Sequence, residues 1–537
     1  MLTPTTDYNQ LVNGFQWTIP EHYNIGVDVC ERHARGDGRL ALIFIEDDET
    51  VRRFSFDDIH RSSARFANVL RAHGVTEGDR VGVFLPQRPE TAVAHVAVFK
   101  AGCISVPLYV QFGEEALEHR LSDSGSTAVV TDHAGLAKIE QIRDRLPALK
   151  HLFLTDVQLN DSVHHSFWGA IERASDAFTN VRTRAGAPAV LIYTSGTTGN
   201  PKGALLPHRS LIGHLPAIEL AHDFFPQPGD RYWTPADWAW IGGFFDVLLP
   251  AWHHGVTVVA SPPRKFDPEW VLHLMATHSV RNAFFPPTAL KFLRQSNPRN
   301  PDVRLRSIFS GGEPLGAEML EWARGAFGVT INELYGQTEC NVVVGNSASL
   351  FPVRPGSMGR AVPGHDVRIV DEGGHELPPG TEGIVAVRSP DPVMFLEYWN
   401  NPAATREKFA GDFLLTGDRG IRDDEGYFWY VGRADDVITS AGYRIGPAEI
   451  ENCIMAHPAV AMVAVVGVAD ALRTESIKAW VVPKAGVDQS EALARDIQAF
   501  VRRRLAAYEC PRHVAFTDTL PMTVTGKVMR GVLRARG

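Results

Sequence analysis

Cysteine is scarce in this chain and shows no pattern. Five occur in 537 residues, at Cys30, Cys103, Cys340, Cys453 and Cys510, and no two form a C-x-x-C pair. That spacing argues against a structural zinc site or a disulfide framework, and for a reducing compartment. No apolar run approaches the roughly 20 residues that cross a bilayer as a helix. The first residues, Met-Leu-Thr-Pro-Thr-Thr-Asp-Tyr, lack the basic region and apolar stretch of a secretory signal, and a cytoplasmic location is expected. Positive charge is also in deficit: 53 Lys and Arg against 62 Asp and Glu leave a net charge of −9. Such a balance gives no general attraction to nucleic acid or to an anionic membrane. An anionic ligand would have to be met by a local site.

What remains is an ordinary globular composition, 44% hydrophobic and 21% charged. A chain of 537 residues is too long for a single core and implies several domains or subdomains. The most informative stretch is 192–203, Ile-Tyr-Thr-Ser-Gly-Thr-Thr-Gly-Asn-Pro-Lys-Gly. The apolar run Ala189–Tyr193 reads as a buried strand. It empties into a loop with four hydroxyls (Thr194, Ser195, Thr197, Thr198), three glycines (Gly196, Gly199, Gly203) and Lys202. Glycines let backbone N–H groups turn inward on an anion, hydroxyls donate further bonds, and lysine adds a mobile positive charge. That combination suits a polyphosphate. A Walker-type loop is excluded, because Pro201 stands where glycine precedes the lysine and Gly203 where the metal-binding hydroxyl follows it.

From Phe54 onward, short apolar strands alternate with helical patterns: a helix over 56–70, strands at 81–85, 102–108 and 128–131, and a helix over 90–101. This alternation predicts parallel α/β sheets covered on both faces. Residues 354–432 are richer in short β stretches and turns and predict a β-rich subdomain. The last hundred residues read as a compact α+β unit, with helices over 448–456 and near 490–506 and strands at 462–467, 479–482 and 514–516.

Thr194–Gly203 resembles the signature loop of the acyl-adenylate-forming superfamily, which includes acyl-CoA synthetases, luciferases and the adenylation domains of peptide synthetases. The pattern Thr-Ser-Gly-Thr-Thr-Gly-x-Pro-Lys-Gly is matched without a departure. The resemblance extends over roughly residues 50–530. It is strong again at Gly311-Gly312-Glu313-Pro314, at Asn332-Glu333-Leu334-Tyr335-Gly336-Gln337-Thr338-Glu339, at Thr416-Gly417-Asp418, and at Pro521-Met522-Thr523-Val524-Thr525-Gly526-Lys527. It implies a large AMP-binding domain, 1–433, and a small mobile domain, 434–537, that carries the catalytic lysine. It also implies activation of a carboxylic acid by MgATP to acyl-AMP and pyrophosphate, followed by transfer to coenzyme A.

Residue by residue, the resemblance places Thr194–Gly199 and Lys202 on the phosphates, and Gly312, Glu313, Pro314, Glu333 and Tyr335 around adenine. Thr338 meets the α-phosphate, Glu339 holds Mg²⁺, and Asp418 and Arg433 bind the ribose hydroxyls. Asp435 is the hinge, Gly442 and Arg444 lie on the coenzyme A path, and Lys527 bridges carboxylate and α-phosphate. Glu339 also has a physical case, since Mg²⁺ wants one or two carboxylates plus phosphate oxygens.

The acyl pocket is expected along 231–243, where Trp233, Trp238 and Trp240 fall within eight positions. Trp238 and Trp240 are candidate walls, with Gly242 leaving room for a ligand. Relatives restricted to acetate carry tryptophan at the position of Gly336, so glycine there favours short- to medium-chain fatty or aromatic acids. A stand-alone ligase that loads a carrier protein and an acetate-specific synthetase stay open as alternatives. So does a homodimer. Acylation of Lys527 would remove the charge the first step needs, which makes a lysine acyltransferase and a deacylase candidate partners.

Overall fold

The computed structural model describes every residue except 158, 160, 195–200, 313, 314, 434, 435, 441, 442, 471–473, 506–508, 524–526 and 537. Its described strands form three sheets. In the first, Arg80–Phe84, Ile104–Pro107, Ala128–Thr131, His151–Leu154, His164–Ser166 and Pro188–Thr194 run parallel. These segments are mostly continuous apolar runs buried on both faces, as parallel strands require. The sheet then changes sense. Lys202–Pro207 pairs antiparallel with Pro188–Thr194, and Glu397–Tyr398 adds an antiparallel edge beyond it.

The helices that cover this sheet start where the sequence supplies caps. Phe56–Ala72 opens on a capping box, in which Ser55 Oγ accepts from Asp58 N at 3.1 Å and the Asp58 carboxylate accepts from Ser55 N at 2.9 Å. Pro89–Lys100 is buried along its whole length, which explains its lack of a polar face.

The second sheet joins fourteen described strands. Leu40–Ile45, Thr257–Ala260, Arg231–Trp233, Asn282–Phe284, Ser307–Gly311 and Ile331–Gln337 are parallel. From Asn341–Gly345 onward the pairing is antiparallel. Ser357–Ala361 pairs with Asn341–Gly345 on one side and with Phe428–Arg433 on the other. The β-rich region expected at 354–432 is therefore the antiparallel continuation of the nucleotide-side sheet, hydrogen-bonded to it strand by strand. Periodicity alone could not show this, because it reports strands and not their partners.

The third sheet, built from Ile438–Ser440, Tyr443–Ile445, Val460–Asp470, Thr474–Pro483 and His513–Phe516, belongs to the C-terminal unit. Alternate residues of Val460–Asp470 feed two small cores. Val463 and Val465 pack with Ile450, Ile454, Ile497 and Phe500, while Ala464 and Val466 pack with Leu533. Most expected elements are found within a few residues of their predicted bounds. The helix expected near 490–506 is shorter and stops at Arg502.

Lys100 is a buried cation with no carboxylate within ion-pair distance among the described residues. Lys100 is 0% exposed; its Nζ lies 3.0 Å from His60 Nδ1 and donates to Ser63 Oγ at 3.0 Å. Burial pulls the ammonium below its ordinary 10.5. The unfolded chain thus binds the proton more tightly, and stability rises as pH climbs through that window toward 10.5. In Lys100→Met this rise in apparent unfolding temperature is expected to flatten; an unchanged pH slope in thermal scans would show that Lys100 does not supply it.

Candidate active site

The phosphate loop is a connection between antiparallel neighbours. Thr194 pairs with Lys202 and Tyr193 with Gly203, so the chain leaves one strand and returns on the next. Among the described residues the loop is followed directly by the strand Lys202–Pro207, and Lys202 is the cationic side chain of the motif. Ser195, Gly196, Thr197, Thr198 and Gly199 lie outside the described residues, and Thr194 Oγ1 donates to Lys202 O at 3.4 Å. The loop's trailing end is pinned by His119, whose Nε2 lies 2.9 Å from Pro201 O. Gly203 is closely packed: a Cβ there would stand 2.9 Å from Leu191 Cδ1 and 3.2 Å from the Tyr193 ring.

Thr338 and Glu339 sit on a tight hairpin turn. Ile331–Gln337 and Asn341–Gly345 pair with Gln337 opposite Asn341, and Cys340 N donates to Gln337 O at 3.2 Å. Asn341 has φ +46°, the left-handed residue that closes a three-residue hairpin loop. The turn offers Thr338 and Glu339 at its apex and buries Cys340. Glu339 is 7% exposed and takes part in no ion pair among the described residues; its Oε1 accepts from Tyr398 OH at 2.5 Å.

The bulge in this hairpin overturns the expectation about Gly336. A Cβ at 336 would lie 1.6 Å from Asn341 O and 2.4 Å from its carbonyl carbon. Backbone occupies that space, so glycine is required by the close approach of two strands.

The ribose candidates meet as a cross-strand pair. Asp418 and Arg433 are directly opposite on Phe413–Arg422 and Phe428–Arg433, with Arg433 Nη1 3.6 Å from Asp418 Oδ1. The other carboxylate oxygen accepts from Tyr335 OH at 2.7 Å and from Gln337 Nε2 at 2.6 Å. Lys408 Nζ closes the group, donating to Gln337 Oε1 at 3.3 Å and Thr416 O at 3.2 Å. Burial pushes the Asp418 carboxyl above its ordinary value, and Arg433, Tyr335 and Gln337 pull the other way. Sequence reading missed Gln337 as a clasp and Lys408 altogether. Gln337 lies inside a recognised motif and could have been found there, whereas Lys408 gives no local signal.

Around the adenine candidates, Glu333 is buried and accepts from Leu315 N at 3.4 Å; burial pushes its carboxyl up to about 8. Gly312 has φ +98° and faces Trp240, whose Cζ2 lies 3.8 Å from where a Cβ would stand. Glu313 and Pro314 lie outside the described residues. Trp240 is half-buried and tilts over Phe284 at 5.6 Å. Gly242 does not leave room for a ligand as expected: its Cβ position is 2.8 Å from Trp240 and 2.9 Å from Phe284. The glycine makes space for the tryptophan. Trp238 is 0% exposed and belongs to the main core, not to a pocket wall.

Lys527 is exposed, on a turn where its N–H donates to Thr523 Oγ1 at 3.1 Å and its carbonyl accepts from Thr523 N at 2.7 Å. Among the described residues no hydrogen bond or ion pair joins it to the N-terminal domain, so it is not gathered with the other candidates. Asp435 and Gly442 lie outside the described residues, and Arg444 falls in the strand Tyr443–Ile445. Just past the hinge candidate, Asp436 accepts from Arg534 at 2.7 Å; Arg530, from the same C-terminal helix, is bidentate on Glu451 at 2.8 Å. No helix among the described residues is long and apolar enough to cross a membrane.

The comparisons agree with this geometry. The family model described as AMP-binding enzyme matches residues 30–399, and that of the AMP-binding enzyme C-terminal domain matches 449–527. A mouse mitochondrial acyl-coenzyme A synthetase, ACSM4, is 35% identical, with 99% of this chain and 93% of that protein covered. The acetyl-coenzyme A synthetase of Bacillus subtilis is 33% identical over 95% of this chain and 90% of its own length. The crystal structure of the anthranilate CoA ligase AuaEII with anthranoyl-AMP superposes with a TM-score of 0.88 at 28% identity, covering 96% of this chain and 98% of that one. With its phosphate loop, its Thr338–Glu339 turn and its Asp418–Arg433 pair set in two matched domains, the chain belongs to the AMP-binding enzyme family, the acyl-adenylate-forming ligases.

Proposed function

We propose that this protein is an AMP-forming acyl-CoA synthetase for short- to medium-chain fatty or aromatic acids. The observation that carries the reading is one hairpin with two ends of chemistry. Its first strand places Tyr335 against Asp418, which faces Arg433 through its other oxygen, and its turn carries Thr338 and Glu339. Ribose recognition and phosphate chemistry are thereby fixed relative to each other by a few residues of β structure.

In the first step a substrate carboxylate oxygen attacks the α-phosphorus of ATP. An O–P bond forms, the bond to pyrophosphate breaks, and acyl-AMP results. Two anions must approach, so positioning and charge neutralisation carry the catalysis. Lys202 and Thr194 hold the phosphate side, and Lys527 is the residue assigned to bridge carboxylate and α-phosphate. Glu339 fits Mg²⁺, being a buried carboxylate with no cation against it among the described residues. Bound there, Mg²⁺ supplies charge stabilisation to the phosphate oxygens. In the second step the thiol sulfur of coenzyme A attacks the acyl carbonyl and AMP leaves. Lys527 must then withdraw, which agrees with its place on a separate domain, 434–537, beyond the hinge candidate Asp435; Gly442 and Arg444 are assigned to the coenzyme A path.

For the acid, the half-buried Trp240 is the candidate wall beside Gly312, backed by the buried Phe284, and suits a flat or short apolar group. The exposure of Lys527 suits modification by a lysine acyltransferase and removal by a deacylase. The buried cysteines, scattered along the sequence, accord with a cytoplasmic enzyme. A homodimer belongs to the same reading.

Three outcomes test it. Pyrophosphate release with MgATP, across acids from acetate to dodecanoate plus benzoate, should depend on a short- to medium-chain or aromatic acid and turn over repeatedly only with coenzyme A. Dependence on the acid without any response to coenzyme A would point instead to a carrier protein as acceptor. Lys527→Ala should abolish pyrophosphate release while leaving thioester formation from added acyl-AMP, and equal loss of both would remove Lys527 from the first step. Trp240→Ala should shift kcat/KM toward longer acids by at least about tenfold, since one methylene in an apolar pocket is worth about 10- to 200-fold; an unchanged chain-length profile would take Trp240 out of the pocket.

A further inference from the structure

The candidate site contains two buried or half-buried charges of opposite sign, Glu339 and Lys202, that form no ion pair with each other. Between them stands Tyr398, a residue that no motif draws attention to. Its hydroxyl donates to Glu339 Oε1 at 2.5 Å, and Lys202 Nζ stands over the face of its ring, 5.3 Å from the centroid. The ring is 4% exposed. One side chain thus offers a proton donor to the anion and a π face to the cation.

The backbone around Tyr398 is fastened to both charged elements. Phe395 N donates to Glu339 O at 2.8 Å, on the turn. Leu396 N donates to Leu205 O and Trp399 N to Gly203 O, each at 2.7 Å, and Tyr398 itself pairs with Ala204. The far end is anchored by Trp399 Nε1 and Asn400 Nδ2, which both donate to Asp123 O, at 3.0 and 3.1 Å. Tyr398 N donates to Thr405 Oγ1 at 2.9 Å. The segment 395–400 is therefore a strap laid across the strand that carries Lys202 and the turn that carries Glu339, with Tyr398 directed between them.

We propose that Tyr398 is a positioning residue that holds Glu339 and Lys202 apart and unpaired, so that one is free for the metal and the other for the phosphates of MgATP. Without the spacer, the carboxylate and the ammonium satisfy each other, and the nucleotide must first separate them. The strap accounts for the backbone contacts, but only the tyrosine side chain touches both charges. This inference rests on the reading of Glu339 and Lys202 as MgATP ligands.

The test uses the full-length chain with Tyr398→Phe and Tyr398→Leu. Phenylalanine keeps the ring under Lys202 and deletes the bond to Glu339; leucine removes both. MgATP binding is followed by calorimetry in the absence of acid, and ATP binding is repeated in EDTA. Pyrophosphate release is measured against magnesium concentration, and thioester formation against added acyl-AMP and coenzyme A. Tyr398→Phe should weaken MgATP binding about 10- to 100-fold, the range for losing a hydrogen bond to a charged group, and raise the magnesium requirement. It should change ATP binding in EDTA by less than about threefold, and the acyl-AMP step equally little. Tyr398→Leu should bind MgATP more weakly still. The proposal is overturned if Tyr398→Phe binds MgATP within about twofold of wild type, or if both half-reactions fall together, as a general packing defect would make them. Wild-type protein that binds MgATP yet releases no pyrophosphate with any acid would refute the synthetase reading alone, and the calorimetry would still decide the role of Tyr398.

Discussion

The buried Asp418 carboxylate is where three separated pieces of chain are forced to agree. A charge taken out of water has to be met on all sides, and Asp418 is met by Tyr335 and Gln337 from one hairpin and by Arg433 from the neighbouring strand. Lys408 reaches the same group through Gln337 and the Thr416 carbonyl. The antiparallel extension of the large sheet cannot shift against the strand of Tyr335 without breaking this set. The sheet extension and the candidate ribose site are tied through one side chain.

A second constraint is the direction in which the phosphate loop returns. In folds where such a loop opens a helix, the N-terminal amides and their dipole face the phosphates. Here the chain comes back as an antiparallel strand, and under the proposed function Lys202 and a cation at Glu339 would supply the positive charge. The site depends on a few discrete charges. That dependence explains why so many neighbouring contacts, from His119 to Trp399, serve to keep the ends of the loop in place.

Much of this was legible in the sequence, and what was not has identifiable causes. Motif residues could be named because the family resemblance attaches to short local stretches, and the loop of hydroxyls, glycines and a lysine also suits a phosphate on its own chemistry. The parallel strands were legible from their apolar runs. Pairing between distant segments was not, so the β-rich region looked separate and proved continuous. Glycines misled for the same reason. Gly336 and Gly242 read as vacancies for a ligand, yet the space they leave is filled by Asn341 backbone and by Trp240 with Phe284. An absent side chain shows that something lies close, without showing what. Trp238 was drawn into the pocket by its neighbours in sequence, while its actual surroundings are core. Tyr398 was invisible in sequence, because its two partners are a turn and a strand remote from it along the chain.

The turn that presents Glu339 also hides a thiol. Cys340 is the next residue, fully buried, and burial raises its pKa to about 12. An acyl-adenylate is an indiscriminate donor, and the nucleophile meant to receive the acyl group is itself a thiol. A cysteine one residue from the carboxylate at this centre would be a competitor, diverting the activated acid onto the protein. Thiolate is the attacking form, and a buried neutral thiol supplies almost none of it. Cys340 is fully buried beside the left-handed Asn341 that closes the hairpin, so the turn that carries the carboxylate withholds the sulfur. Fidelity of acyl delivery, in this reading, is secured in part by a bend in the backbone.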